Sequence, residues 1–173
     1  TGTAFTVISG SNSTQQTTIR NNHLYSNVVG VSSGGGMFVT GRSPVLVEDN
    51  RIHDNGATGI NANGNVTILG NEIYNHPASG SNLAALYLIG GATASENVVH
   101  HNALGANATA SVLVDNRLYA NTTGIRASGV SSVTANQVYS NGTGAVLSAF
   151  SGVFGNNLIY ASATYGVSVE SST

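Results

Sequence analysis

"NRLYAN" (Asn116–Asn121) has close copies elsewhere in the chain: "NHLYSN" at Asn22–Asn27, "NRIHDN" at Asn50–Asn55 and "NQVYSN" at Asn136–Asn141. Anchored on its first Asn, the motif recurs at Asn22, Asn50, Asn71, Asn97, Asn116, Asn136 and Asn157, with spacings of 28, 21, 26, 19, 20 and 21 residues. Two residues after the anchor stand Leu24, Ile52, Ile73, Val99, Leu118, Val138 and Ile159, all apolar. Three after stand Tyr25, His53, Tyr74, His100, Tyr119, Tyr139 and Tyr160, all Tyr or His. Five after stand Asn27, Asn55, His76, Asn102, Asn121, Asn141 and Ser162, and three before stand Ile19, Val47, Ile68, Ala94, Leu113, Val133 and Phe154.

A fixed period near 21 residues marks a stacked-repeat architecture. No segment has the i, i+3, i+4 apolar spacing of an amphipathic helix. Apolar residues alternate over short runs instead, as in "NVTILGN" and "TTGIRAS", with Gly and Asn between the runs, which is strand patterning. Each coil reads as three short strands, and equivalent positions of successive coils pair in register about 4.8 Å apart. The expected fold is all-β, a parallel β-solenoid of about 7–8 coils in one domain over residues 1–173. Stacked Asn side chains form ladders in such a fold. Asn also tolerates the left-handed backbone that turns require, so the Asn columns are expected at the turn positions themselves.

Only 7% of the 173 residues are charged and the net charge is −2. There is no Lys, and without clustered cations nothing points to nucleic acid. No apolar run approaches the ~20 residues of a spanning helix. With no Cys, thiolate chemistry and Cys-type metal sites are excluded. A neutral surface rich in Asn, Ser, Thr and Gly leads to an expected extracellular or cell-surface location.

The hexamer followed by Gly-Ile, as in "NRLYANTTGI" and "NRIHDNGATGI", resembles the right-handed parallel β-helix repeat superfamily. In particular it is similar to the repeats of mannuronan C5-epimerase and pectate-lyase-like modules, over roughly Ala4 to Val169. The resemblance implies a right-handed, single-stranded helix, in keeping with the general crossover preference. The epimerases' Tyr-Gly-Phe-Asp-Pro-His motif is absent. The only prolines, Pro44 in "GRSPV" and Pro77 in "NHPAS", do not match it, so no catalytic residue is carried over from that family.

Function is sought where the repeat breaks. Aligning Gly36-Met37 and Ala85-Leu86 with Gly59-Ile60 leaves two insertions, "VVGVSSGGG" (Val28–Gly36) and "PASGSNLA" (Pro77–Ala84), in the same turn with one coil between them. Insertions on one face often mark a binding face. Column stacking places Asp54, Asn75 and His101 in one row beside them, with His76 opening the second insertion. Asp54, His76 and His101 are the expected catalytic groups if the protein is an enzyme. Arg51, Tyr74, His53, His100 and Glu72 are the expected binding residues around them, with Arg51 neutralising a substrate carboxylate and Tyr74 a proton donor. Strand alternation sends the Tyr/His column and its neighbours His23, Arg51, Glu72, Arg117 and Gln137 outward, a strip suited to sugar rings and hydroxyls.

No metal ligand set is assigned and no cofactor is expected. Two openings for a cation are the Asp-plus-His cluster between the insertions, which could coordinate a metal, and a weak calcium site at Glu96 and Asp115, which with Asp49 immediately precede their anchors. Neither end shows a recognisable cap, which leaves open β-edges. The leading expectation is a non-catalytic structural or adhesive module that binds polysaccharide or other copies of itself, end to end into fibres. The alternative is a module of a polysaccharide lyase or C5-epimerase acting on acidic polysaccharide.

Overall fold

A computed structural model describes residues 4–10, 14–27, 35–77 and 83–170. It contains strands and turns only, and every strand pairing is parallel. Each coil has three sides. The first is a three-residue strand of the hexamer: His23–Tyr25, Arg51–His53, Glu72–Tyr74, Val98–His100, Arg117–Tyr119, Gln137–Tyr139 and Leu158–Tyr160, which together make a seven-stranded sheet. The second follows the Gly-apolar pair, and the third leads to the next anchor Asn. These two sides run together without a break in the long strands Gly35–Glu48 and Thr58–Leu69, and so join into one 13-stranded sheet.

The register matches the column alignment. Leu118 pairs with Val99 and Val138, and Ile60 pairs with Met37 and Leu86. The two long coils thus rejoin the stack at Met37 and Leu86. Most of each insertion, residues 28–34 and 78–82, lies outside the described residues. The core is the inside of the coil. Ile52, Ile60, Ile73, Leu86, Leu113, Leu118 and Ile125 are fully buried there. In the sequence these residues are scattered at repeat intervals, and stacking turns them into continuous apolar columns.

Two ladders brace this core at the ends of the first side. In the first, the Asn116 backbone N–H and Nδ2 both donate to Asn136 Oδ1 (3.0 and 3.1 Å), and Nδ2 also donates to Ala94 O and Val114 O. Its Oδ1 accepts from Asn97 N and Nδ2. The same pattern runs from Asn22 to Asn157. Each ladder oxygen is bonded by the backbone N–H and Nδ2 of the preceding coil's Asn, so the side-chain ladder has a direction. The second ladder runs through Asn27, Asn55, His76, Asn102, Asn121 and Asn141.

One sequence expectation is corrected here. The ladder Asn residues are not the left-handed ones. Positive φ falls on the residue just before each: Asn21, Asp49, Gly70, Glu96, Asp115, Ala135 and Asn156 before the first ladder, and Ser26, Asp54, Asn75, His101, Ala120, Ser140 and Ala161 before the second. That residue reverses the chain direction, and its own side chain is left outside. The following Asn is thereby aimed inward, where its amide can meet backbone carbonyls.

The Gly column has a packing cause. A Cβ on Gly124 would lie 2.6 Å from Gly144 O, 2.9 Å from Val138 Cγ1 and 3.0 Å from Asn141 Nδ2. Gly36, Gly59, Gly105 and Gly144 meet the next coil in the same way. The second side therefore starts where the coils approach closely, and only Gly or, in one coil, the small Ala85 stands at this position.

Candidate functional site: the outer face of the short-strand sheet

In each three-residue strand the middle residue is inside, and the two flanking residues face outward. Across seven coils this gives two outer columns, one mixed and one aromatic. The aromatic rings stack face to face. Centroid distances run 5.4, 4.6, 4.9, 4.8, 5.1 and 5.1 Å from Tyr25 to Tyr160, with interplanar angles of 4–13°. An interior ring such as Tyr119 therefore has both faces covered by His100 and Tyr139, and turns only its edge to solvent. Sugars stack on ring faces, so along this column, among the described residues, only Tyr25 and Tyr160 have a face that no other ring stacks on.

The mixed column is partly self-neutralised. Arg51 Nε lies 3.3 Å from Glu72 Oε2, and the guanidinium carbon sits 5.4 Å from the Tyr74 ring centre. Glu72 Oε1 is also 3.5 Å from His100 Nε2. Burial lowers the His100 imidazole from its ordinary value, with Glu72 opposing. His100 Nδ1 in turn meets His101 Nδ1 at 2.8 Å, so one proton serves both rings.

A second group lies toward the first coils. His53 Nδ1 contacts Asp54 Oδ2, and Asn75 Nδ2 donates to Asp54 Oδ1 at 3.1 Å. The hydrogen bond from His53 lowers the Asp54 carboxyl below its ordinary value, and the small desolvation of this exposed group acts the other way. His53 Nε2, on the far side of the ring, meets His23 Nε2 at 2.5 Å.

The chain matches the family model of the right-handed β-helix region over residues 6–173. It belongs to that family. No curated protein and no solved structure matches it.

The β-helix places the sequence-predicted residues in two different environments. Asp54, Asn75 and His101 occupy equivalent turn positions of consecutive coils, all with φ between 52° and 57°, and all three are exposed. His76 is elsewhere. It is the third member of the inner ladder and is fully buried. Its Nδ1 lies 3.1 Å from Asn102 Oδ1, and its Nε2 lies 3.3 Å from Asn55 Nδ2. A neutral imidazole with its proton on Nδ1 satisfies both contacts. Burial pushes His76 down to about 4, against smaller upward effects of Asn102 and Asp54. Asp54 and His101 therefore share a surface that His76 does not reach.

Arg51, Glu72, Tyr74, His53 and His100 do share the outer face. Arg51 is held by Glu72, however, and is not a free cation. Glu96 and Asp115 line an open groove with Arg117 and Gln137 at the other end of the strands. Among the described residues, no three His, Asp or Glu side chains converge to hold a metal.

His23 is the residue that sequence reading passed over as a site member. It precedes His53 by 30 residues, and the long first insertion hides the diagonal relation between them. Column alignment places His23 beside Arg51, and thus one step diagonally from His53.

Proposed function

We propose that this β-helix is an extracellular structural module whose coil stack is continued by a second copy, joined head to tail. The supporting observation is the direction of the first Asn ladder. At the first described coil, Asn22 Oδ1 receives no donor from another described residue, and one Tyr25 face has no ring stacked parallel on it among the described residues. At the last, the Asn157 backbone N–H has no acceptor among the described residues, and Asn157 Nδ2 donates only back to Val133 O. Tyr160, Val167 and Val169 are exposed there by 48%, 42% and 75%, and the two valines stand in the inward columns of Ala145 and Leu147. Donors, a ring face and open core at one end thus complement acceptors, a ring face and Phe5 at the other. Non-closing head-to-tail contacts of this kind build rods. The low charge and the Asn/Ser/Thr/Gly-rich surface support the extracellular setting.

Electron microscopy with light scattering tests this reading. Rods that lengthen with protein concentration and are lost in Val169→Lys are expected. A monodisperse monomer at high concentration would overturn it. The lyase or epimerase reading has less support. Its proton-abstracting set is divided between the core and the surface, and Asp54 and His101 stand two coils, about 10 Å, apart along the stack.

A further inference from the structure

We propose that His23 and His53 form a binding site for a late first-row transition-metal dication, with Cu(II) the best fit and Asp54 as its positioning residue. Three features of the first three coils converge on this. The Nε2 atoms of His23 and His53 point at one another at 2.5 Å, with ring centroids 4.8 Å apart and planes tilted by 40°. The Asp54 carboxylate accepts a hydrogen bond from the His53 Nδ1–H tautomer, which leaves the His53 Nε2 lone pair directed outward at His23. Asn75 holds the other carboxylate oxygen, so Asp54 is itself fixed. Metal-bound imidazoles commonly have this arrangement, with the second ring nitrogen bonded to a carboxylate that sets the tautomer and raises ligand basicity.

A single proton between two Nε2 atoms occupies one lone pair through a hydrogen bond to the other. A dication uses both. Two nitrogens about 2.0 Å from one ion are about 2.8 Å apart when cis in a square-planar or tetragonal site, and about 3.3 Å apart in a tetrahedral one. The observed separation needs the smaller opening for the tetragonal case. Cu(II) prefers that geometry and binds nitrogen ligands most strongly among the first-row dications. His23 is exposed, so a modest side-chain rotation provides the opening. With two protein ligands, water completes the coordination. His23 stands between Asn22 and Tyr25 at the coil end proposed above to meet a second copy, and the metal assignment does not rest on that association.

Titration of the full chain with Cu(II) alone, in a non-chelating buffer and followed by electron paramagnetic resonance, tests the assignment. One saturable ion per chain is expected, with hyperfine coupling to two imidazole nitrogens. His23→Ala and His53→Ala should each weaken binding at least tenfold and leave coupling to one nitrogen. Asp54→Asn should weaken it by about 10- to 100-fold while both nitrogens remain. His101→Ala, on the neighbouring imidazole pair, should change nothing. All four side chains lie on the outer face, and circular dichroism checks that each variant is folded. Absence of a saturable site, or an affinity unaffected by His23→Ala, would overturn the proposal, as would loss of the site in His101→Ala.

Discussion

His76 Nδ1 lies 3.1 Å from Asn102 Oδ1, so an imidazole stands as a rung in a ladder otherwise made of amides. The His76 N–H also bonds that oxygen at 2.9 Å, as the backbone N–H of Asn102 bonds Asn121 Oδ1. The ring is two-sided like an amide, donating on one face of the coil and accepting on the other. Unlike an amide, it titrates.

Acid should therefore weaken the fold chiefly through this residue. The unfolded chain's imidazole takes up a proton as the pH falls through about 6.5, while the buried one resists until about 4. The unfolded state binds more protons throughout that window, so stability falls as the pH is lowered through it, by up to about 3 kcal/mol, and is unaffected above it. The lowered His100 acts with the same sign. His76→Asn, which restores an all-amide ladder, should flatten most of this dependence. Urea unfolding at pH 7.5 and pH 4.5 for both proteins measures it, and an equal loss in the variant would contradict the assignment.

Breaking the first ladder should cost much more than any surface change. Asn116→Ala removes the acceptor for the Asn97 N–H and the donor to Ala94 O, both buried. Each unsatisfied buried group costs about 1–3 kcal/mol. A loss of roughly 3 kcal/mol or more is expected in chemical unfolding, against less than about 0.5 kcal/mol for exposed Gln137→Ala on the next coil.

Gly124→Ala should also destabilise, although it adds one methyl group. The new Cβ would meet the backbone oxygen of Gly144 at 2.6 Å, and backbone cannot rotate away as a side chain can. Overpacking of this kind costs about 1–3 kcal/mol. A drop in thermal midpoint, with no comparable drop for Ala120→Ser on the coil surface, is the expected result.

Two of the chain's N-x-Ser/Thr sequons fall on ladder residues. Asn121 and Asn141 use their amide nitrogens inside the stack and are buried, whereas Asn65 is exposed. Attachment of a glycan to either ladder nitrogen is incompatible with the folded coil.

By itself the sequence determined the coil. Its seven anchors set the period, its apolar columns set the register, and Gly36-Met37 aligned with Gly59-Ile60 locates where the long coils rejoin the stack. These are legible because a solenoid repeats one environment, so a column of identical residues reports a shared position. The row of Asp54, Asn75 and His101 was legible for the same reason. Only the tertiary structure decided which way the side chains at the corners point. A left-handed residue at Asn75 turns His76 into the core and leaves Asn75 outside, and no periodicity in the sequence records that reversal. The stacking distance likewise decided that the aromatic rings cover one another's faces. The meeting of His23 with His53 arises from a diagonal between coils. A column reading compares only equivalent positions and does not see it.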